Sequence, residues 1–182
     1  MTDITLYQGR PTAPLSPREL AAYDFLDGLS LPYRAVTHAP AMTMADCEEI
    51  DRALGVQMCK NLFLCNRQKT AFYLLLMPGD KPFHTKELSG QLGIARLSFA
   101  SGEDMERLLG LSPGSVSVLG LMNDGEGAVQ LLIDRDLLAF PDFGCHPLQN
   151  TGSVCFSTKD LLEVVLPATR HAPAYVTLTD GE

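Results

Sequence analysis

The most informative feature of the chain is the stretch Met58-Cys59-Lys60-Asn61-Leu62-Phe63-Leu64-Cys65, an apolar run that contains two neighbouring polar side chains. A short apolar run bounded by polar turns is typical of a buried strand. Because side chains alternate along a strand, Lys60 shares its face with Leu62 and Leu64, whereas Asn61 points the other way. An ammonium on a buried face is costly unless an anion, a water-filled cleft or a bound ligand lies opposite it.

A second interpretation of Lys60 is equally compatible with the local sequence. A lysine on an edge strand extends its ammonium to solvent and prevents strand-to-strand aggregation. The surrounding residues must therefore decide between a functional lysine and a protective one.

Length and composition indicate one globular domain with a sizeable core, since 46% of the 182 residues are hydrophobic and 20% are charged. We expect a single domain over residues 1–182, with residues 1–15 as a flexible or loosely packed lead-in. No apolar run approaches the ~18 residues that cross a bilayer, and the first residues lack the basic flank and apolar centre of a signal peptide. A cytoplasmic location without membrane contact is the expectation.

The five cysteines are scattered and never form a C-x-x-C pair. An odd number without paired spacing argues against a disulfide framework and against a thiolate metal cage. We expect most of them to act as small core residues.

The net charge of −8 argues against DNA as a partner, but the charge is unevenly distributed. Residues 52–107 contain eight basic and five acidic side chains, so the rest of the chain carries a net −11. A local basic zone on an acidic protein can bind one end of an RNA while the remaining surface discourages non-specific association. Ordinary solvated lysines and arginines explain the same charge pattern.

Helices and strands are mixed along the whole chain. Capping signals and closing glycines predict helices at residues 17–29, 44–54, 85–92, 103–109 and 158–166. Apolar segments between turns, with alternation at residues 94–100, predict strands at residues 33–37, 58–65, 71–77, 94–100, 115–119, 128–134, 153–156 and 175–178. The predicted fold class is mixed α/β: a single domain with a curved, mixed, partly barrel-like sheet flanked by helices.

Six blocks of the sequence follow one another in an order that is known from a protein family. They are Lys60-Asn61-Leu62-Phe63-Leu64, Tyr73-Leu74-Leu75, Arg96-Leu97-Ser98-Phe99-Ala100, Leu109-Gly110-Leu111-Ser112-Pro113-Gly114-Ser115-Val116-Ser117, Gly120-Leu121-Met122-Asn123-Asp124 and His146-Pro147-Leu148-Gln149-Asn150-Thr151. With these blocks the chain resembles the freestanding prolyl-tRNA editing proteins of the YbaK/ProX type, which are related to the insertion domain of bacterial prolyl-tRNA synthetases. The third and fourth blocks are most similar to the branch that removes alanine from tRNA for proline.

The resemblance implies hydrolysis of the ester between a wrong amino acid and the terminal adenosine of that tRNA, without a metal or another cofactor. It implies catalytic roles for Lys60, Asn61 and His146, with Lys60 binding the phosphate next to the terminal adenosine. The implied substrate-binding residues are His38, Met42, Thr43, Gly114, Ser115, Val116, Ser117, Val118, Asn150 and Thr151. The implied partners are the acceptor end of aminoacylated tRNA and, transiently, prolyl-tRNA synthetase.

The sequence departs from the family pattern at two places. The family's glycine loop usually carries proline four residues after its glycine, where this chain has Val118. Met42 also stands where phenylalanine is usual, and it could reshape one wall of the pocket. Activity toward serine, cysteine or another tRNA therefore remains an alternative to alanine on tRNA for proline.

The sequence is compatible with alternatives to this chemistry and to this function class. Cys145 and His146 are adjacent in the sequence. Adjacent residues rarely bind one metal ion. Their side chains also often point apart, whereas a nucleophile and its general base must be in contact. We therefore expect neither a zinc site nor a thiol nucleophile. The alternative to an enzyme is a non-catalytic module of the same fold that binds tRNA or a small ligand.

Overall fold

The structure is a computed structural model that describes residues 3–179, and two β-sheets organise this part of the chain. The first sheet is antiparallel and contains, in spatial order, β1 (Thr5–Tyr7), β2 (Arg34–Thr37), β8 (Gly152–Ser157) and β7 (Asp142–Cys145). The second contains β5 (Ser98–Phe99), β3 (Lys60–Cys65), β4 (Phe72–Met77), β6 (Val129–Asp134) and β9 (Ala174–Val176). It is mixed, because β3 runs antiparallel to its neighbours whereas β4, β6 and β9 are parallel.

The helices begin and end where local chemistry satisfies their unpaired backbone groups. Ser16 and Thr43 form capping boxes at the starts of α1 (Pro17–Gly28) and α2 (Met44–Leu54). Left-handed glycines follow α2, α3 (Thr85–Leu92) and α4 (Gly102–Leu109). The last helix consists of α5 (Thr158–Asp160), a π-helical segment (Leu161–Val165) and α6 (Leu166–Thr169). Two 3₁₀ helices, Val118–Asn123 and Arg135–Ala139, complete the set.

The main core is built by residues of both sheets, and strand alternation explains how. Phe63 of β3, Leu74 of β4 and Leu131 of β6 point into this core, where they join Phe143 and Val154 of the first sheet. The alternate residues of the second sheet, including Leu64, Leu75 and Leu132, point to its other face and pack with α3. α2 covers the outer face of the first sheet through Ile50 and Leu54.

Several sequence expectations are corrected. The strands divide into two sheets instead of one curved, partly barrel-like sheet, and no closed barrel is present among the described residues. Within the first fifteen residues, Thr5–Tyr7 form β1 and pair with β2. Of the strand predicted at residues 94–100, only Ser98–Phe99 is a strand. The strand β7 was not predicted.

No helix within residues 3–179 is long and apolar enough to cross a bilayer.

The strand predicted at residues 115–119 is wrong, and Ser117 is the reason. Its hydroxyl accepts a hydrogen bond from the N–H of Leu119 at 3.2 Å, which starts the 3₁₀ helix Val118–Asn123. A serine side chain that binds the local backbone competes with strand pairing.

Candidate active site

A cavity of about 650 Å³ lies beside the beginning of β3. β5 pairs with β3 only at Leu64 and Cys65, so the earlier residues of β3 have no strand on that side and border the cavity. Its other walls come from α2, the turn at residues 79–80, the segment from Phe99 to Met105, the Gly114 loop and His146. The cavity therefore brings together residues that are widely separated in the sequence.

Lys60 lines this cavity and is half-buried. Its ammonium donates a hydrogen bond to the backbone carbonyl of Lys81. Among residues 3–179, no carboxylate lies within ion-pair distance of the Lys60 ammonium, which contacts the backbone carbonyl instead. Of the two sequence interpretations, the cleft fits Lys60 better than an ammonium extended into bulk solvent.

Asn61 points to the opposite face of β3 and connects the strand to the glycine loop. Its side-chain oxygen accepts a hydrogen bond from the N–H of Val118 at 3.1 Å, and its amide group donates to the carbonyl of Cys59 at 3.3 Å. Both ends of the Asn61 amide are thus fixed, although the residue also lines the cavity.

The loop around Gly114 forms one wall of the cavity. Gly114 has φ +87°, a conformation that favours glycine, and a Cβ at this position would lie 3.7 Å from the side-chain nitrogen of Asn150. Gly114 and Val116 line the cavity, whereas Ser115 and Ser117 are buried. The hydroxyl of Ser117 donates to the backbone carbonyl of His146 at 2.6 Å and so joins the loop to the histidine.

His146 has one ring nitrogen bound and lies in the cavity wall. Nδ1 is 2.8 Å from the carbonyl oxygen of Gly152, which can only accept, so Nδ1 carries the proton. Burial lowers the pKa of His146, and nearby His38 lowers it further, against the opposing hydrogen bond to Gly152. At neutral pH the ring is therefore neutral, and Nε2 presents a lone pair that can accept a proton.

His38 lies behind this site. Its ring centroid is 6.4 Å from that of His146, and its nitrogens contact the carbonyl of Ala39 at 2.8 Å and the hydroxyl of Ser153 at 3.0 Å. Burial lowers the pKa of His38 as well. The residue lines a separate cavity of about 440 Å³ on the side of β1, so its contact with the first site runs through the backbone and through His146.

Other residues expected at the site are placed outside the lining of the larger cavity. Met42 is 85% exposed and Thr43 caps α2, while the neighbouring Met44 reaches the cavity wall. Asn150 packs beside the glycine loop, and the carbonyl of Thr151 accepts from the N–H of His38 at 3.0 Å. Val118 is fully buried beneath the loop.

The structure also adds residues to the cavity that sequence reasoning missed. They are Glu48 and Asp51 of α2, Asp80, Ala100 and Met105, together with the exposed aromatic ring of Phe99. Only Phe99 and Ala100 carried a sequence signal, because they belong to a block shared with the resembled family. The α2 residues had none, since their approach to β3 depends on tertiary packing.

The thiols near the site are poorly suited to nucleophilic attack. Cys145 is fully buried, and burial raises the pKa of its thiol. Cys59 lines the cavity, but burial raises its pKa to about 12. A protonated thiol is a weak nucleophile.

Within residues 3–179, no three histidine, cysteine or acidic side chains are grouped closely enough to hold a metal ion.

Comparison with known proteins places this geometry in a family. The model of the aminoacyl-tRNA editing domain matches residues 38–164. The chain is 32% identical over 140 residues to the prolyl-tRNA editing protein ProX of Acetoanaerobium sticklandii, covering 77% of this chain and 85% of that protein. It is 29% identical over 167 residues to prolyl-tRNA synthetase associated domain-containing protein 1 of Danio rerio, covering 91% and 89% of the two chains.

A solved structure supports the fold. A chain described as a candidate trans-editing enzyme for prolyl-tRNA synthetase aligns with a TM-score of 0.65 over 91% of this chain and 100% of that one, at 19% identity. The sequence matches confirm the resemblance that the six blocks indicated, and the chain belongs to the aminoacyl-tRNA editing domain family, as a protein of the YbaK/ProX type.

Proposed function

We propose that this protein is a trans-acting deacylase that hydrolyses the ester of mischarged tRNA for proline, with alanine as the amino acid that it removes. The observation that carries the proposal is the single cavity that collects Lys60, Asn61, the Gly114 loop and His146. Family membership and the names of the relatives support the same reaction.

Lys60 binds the RNA end in this proposal. A phosphate next to the terminal adenosine supplies the anion that the ammonium lacks among the described residues. Charge-assisted hydrogen bonds of this kind are stronger than neutral ones, and a lysine ammonium acts on phosphate as a compact point charge.

His146 activates the attacking water. Its Nε2 takes a proton while the water oxygen bonds to the ester carbonyl carbon, and backbone N–H groups of the Gly114 loop stabilise the negative charge on the carbonyl oxygen. When the intermediate collapses, the bond to the ribose oxygen breaks and that oxygen receives the proton. The neighbouring ribose hydroxyl assists the water, and the products are the free amino acid and uncharged tRNA. No metal or other cofactor takes part.

Selectivity for alanine follows from steric exclusion. Favourable apolar contacts distinguish substrates that differ by one methylene by only ~1–3 kcal/mol. The part of the cavity near Val116, Ala100 and Met105 is apolar and is bounded by the fully buried Phe63. A wall of this kind accepts a methyl group and rejects the proline ring.

The partner that fits this proposal is the acceptor end of an aminoacylated tRNA in the cytoplasm. A transient association with prolyl-tRNA synthetase would deliver the mischarged tRNA. The acidic remainder of the chain, outside residues 52–107, discourages non-specific nucleic-acid binding.

The test is deacylation of tRNA for proline charged with alanine, proline, serine or cysteine, with chelator present throughout. Rapid, chelator-resistant loss of alanine alone is the expected result. Loss of serine or cysteine instead would keep the reaction but change the amino acid. No loss from any substrate, with tRNA binding retained, would favour the non-catalytic binding module.

A further inference from the structure

We infer that Lys81 is a positioning residue for Lys60: its buried ion pair with Asp134 fixes the turn whose carbonyl holds the Lys60 ammonium in the cavity. This inference rests on the proposed function, because it deepens the role given to Lys60. It concerns a residue that does not line the cavity and that no motif of the sequence singles out.

The side chain of Lys81 is 3% exposed, and three oxygens surround its ammonium. Nζ lies 2.8 Å from a carboxylate oxygen of Asp134, 2.7 Å from one of Asp136 and 2.7 Å from the carbonyl of Leu178. A lysine ammonium has three N–H donors, and all three are used here. Burial disfavours the charge, but the two carboxylates outweigh burial and raise the pKa of Lys81.

The turn that carries Lys81 is anchored at both ends. Lys60 pairs with Met77 at the end of β4, so the turn begins directly beside Lys60. At Gly79 a Cβ would lie only 2.5 Å from the carbonyl oxygen of Met58, which shows how closely the turn packs against the chain entering β3. On the other side, Asp134 at the end of β6 holds the Lys81 side chain. The carbonyl of Lys81 is therefore fixed at the place that the Lys60 ammonium reaches.

Lys81 and Lys60 differ in the groups that their ammonium ions contact. Lys81 forms ion pairs with two carboxylates, whereas Lys60 donates to one backbone carbonyl and forms no ion pair within residues 3–179. One hydrogen bond to the carbonyl leaves two ammonium N–H groups for a substrate phosphate. The ion pair of Lys81 thus orients the Lys60 ammonium and leaves its charge available to the substrate.

The test variant is Lys81→Met combined with Asp134→Asn. The single change Lys81→Met would leave a buried carboxylate of Asp134 without its partner and is expected to unfold the protein, whereas a neutralised pair is far better tolerated. Asp136→Asn is the matched control, because the side chain of Asp136 is 61% exposed.

The expected result is a fall in kcat/KM for alanyl-tRNA of about 10- to 100-fold in the double variant, since small displacements of positioning groups have effects of this size. Asp136→Asn should stay within about twofold. In single-turnover assays on the Lys60→Ala background, the double variant should cause no further loss. An additive loss in that background would overturn the inference, because Lys81 would then act by another route.

A second measurement does not depend on activity. Acetylation by N-hydroxysuccinimidyl acetate, followed by mass spectrometry, reports the accessibility of each lysine amine. We expect Lys60 to react several-fold faster in the double variant than in the wild type, with the exposed Lys86 and Lys159 unchanged. Faster Lys60 labelling in a protein that hydrolyses no substrate would refute the proposed function alone. Unchanged Lys60 labelling would refute the positioning role.

Discussion

The backbone N–H of Val118 donates a 3.1 Å hydrogen bond to the side-chain oxygen of Asn61. This contact ties the end of the glycine loop to the second residue of β3. Proline has no N–H, so the residue that is usual at this position in the resembled family cannot make it. The departure noted in the sequence therefore adds a hydrogen bond to this chain.

Val118→Pro tests that hydrogen bond. Ser117 is extended at φ −150° and ψ 144°, the conformation that precedes proline, and Val118 begins a 3₁₀ helix, so proline fits the backbone. We expect the free energy of unfolding to change by less than about 1 kcal/mol, because a lost hydrogen bond and a stiffer unfolded chain offset each other. We expect kcat/KM to fall several-fold, because the Asn61 side chain loses the hydrogen bond that holds its oxygen in place.

Val118→Ala is the control, since it keeps the N–H and loses only buried side-chain contacts. It should melt at a lower temperature yet keep the wild-type kcat/KM. Equal turnover in the proline variant and the wild type would show that the bond to Asn61 has no part in hydrolysis.

Lys60→Ala is expected to lower kcat/KM for alanyl-tRNA by at least about 100-fold, since it removes the charge that we propose binds the phosphate of the RNA. The melting temperature should change little, because the half-buried side chain makes one hydrogen bond within the described chain. Steady-state kinetics beside thermal melts measures both effects. Lys86→Ala, on the exposed face of α3, is the matched control and should keep full activity. Wild-type turnover by Lys60→Ala would remove the basis of the assignment.

The pH dependence should follow His146. Its pKa is lowered by burial and by His38, so kcat/KM should rise with pH through a value below 6.5 and stay level above it, because only the neutral ring accepts a proton. The His146→Ala variant should lose most of the activity, and its remaining kcat/KM should no longer rise with pH in this range. If the rise persists in that variant, another group is responsible for the pH dependence.

The same shifts predict stability. His38 and His146 both bind a proton less readily in the folded state than in the unfolded state. The unfolded chain therefore gains protons first as the pH falls, and the free energy of unfolding should decrease below about pH 6.5. Denaturant titrations at several pH values measure this slope.

Cys145→Ser should separate the proposed mechanism from a thiol hydrolase. The thiol is fully buried and its pKa is raised, so we expect turnover within about threefold of the wild type. The more polar hydroxyl that replaces the thiol at this buried position should cost about 1–3 kcal/mol of stability. Deacylation assays beside thermal melts measure the two effects, and loss of turnover in a folded Cys145→Ser protein would favour covalent catalysis.

Phe99 offers an aromatic surface at the cavity. Its ring is 60% exposed, packs edge-on against Phe83 at a centroid distance of 5.9 Å, and lies on the strand beside β3. Stacking of a nucleic-acid base on such a ring is worth ~1–3 kcal/mol. We expect Phe99→Ala to raise KM about tenfold with little change in kcat, and Phe99→Tyr to retain the wild-type KM. Tyr175→Ala, at the opposite edge of the same sheet, is the control.

The parts of the fold with local signals were predictable from the sequence. Capping boxes at Ser16 and Thr43 and the left-handed glycines indicated the helix ends, and short apolar runs bounded by polar turns indicated β3, β4 and β6. The division into two sheets was not predictable, because alternation specifies which face of a strand is buried and not which strand is its neighbour.

The site was predictable in part, and for a different reason. Lys60 attracted attention through its cost on an apolar strand, whereas Gly114 and His146 entered through the resemblance to a family. Lys81 and its partner Asp134 gave no signal, because an ion pair between distant residues exists only once β4 and β6 are side by side. His38, expected among the binding residues, lies in a neighbouring cavity.

The cavity is lined by residues from one sheet and by a residue next to the other. Lys60 and Asn61 belong to the five-stranded sheet, His146 directly follows a strand of the four-stranded sheet, and the main core separates the two. The thickness of that core sets the distance between Lys60 and His146. Substitutions at Phe143 or Phe156, which pack in the core and do not line the cavity, can therefore change that distance. New amino-acid preferences could thus arise in this scaffold by repacking its interior while every residue of the site stays the same.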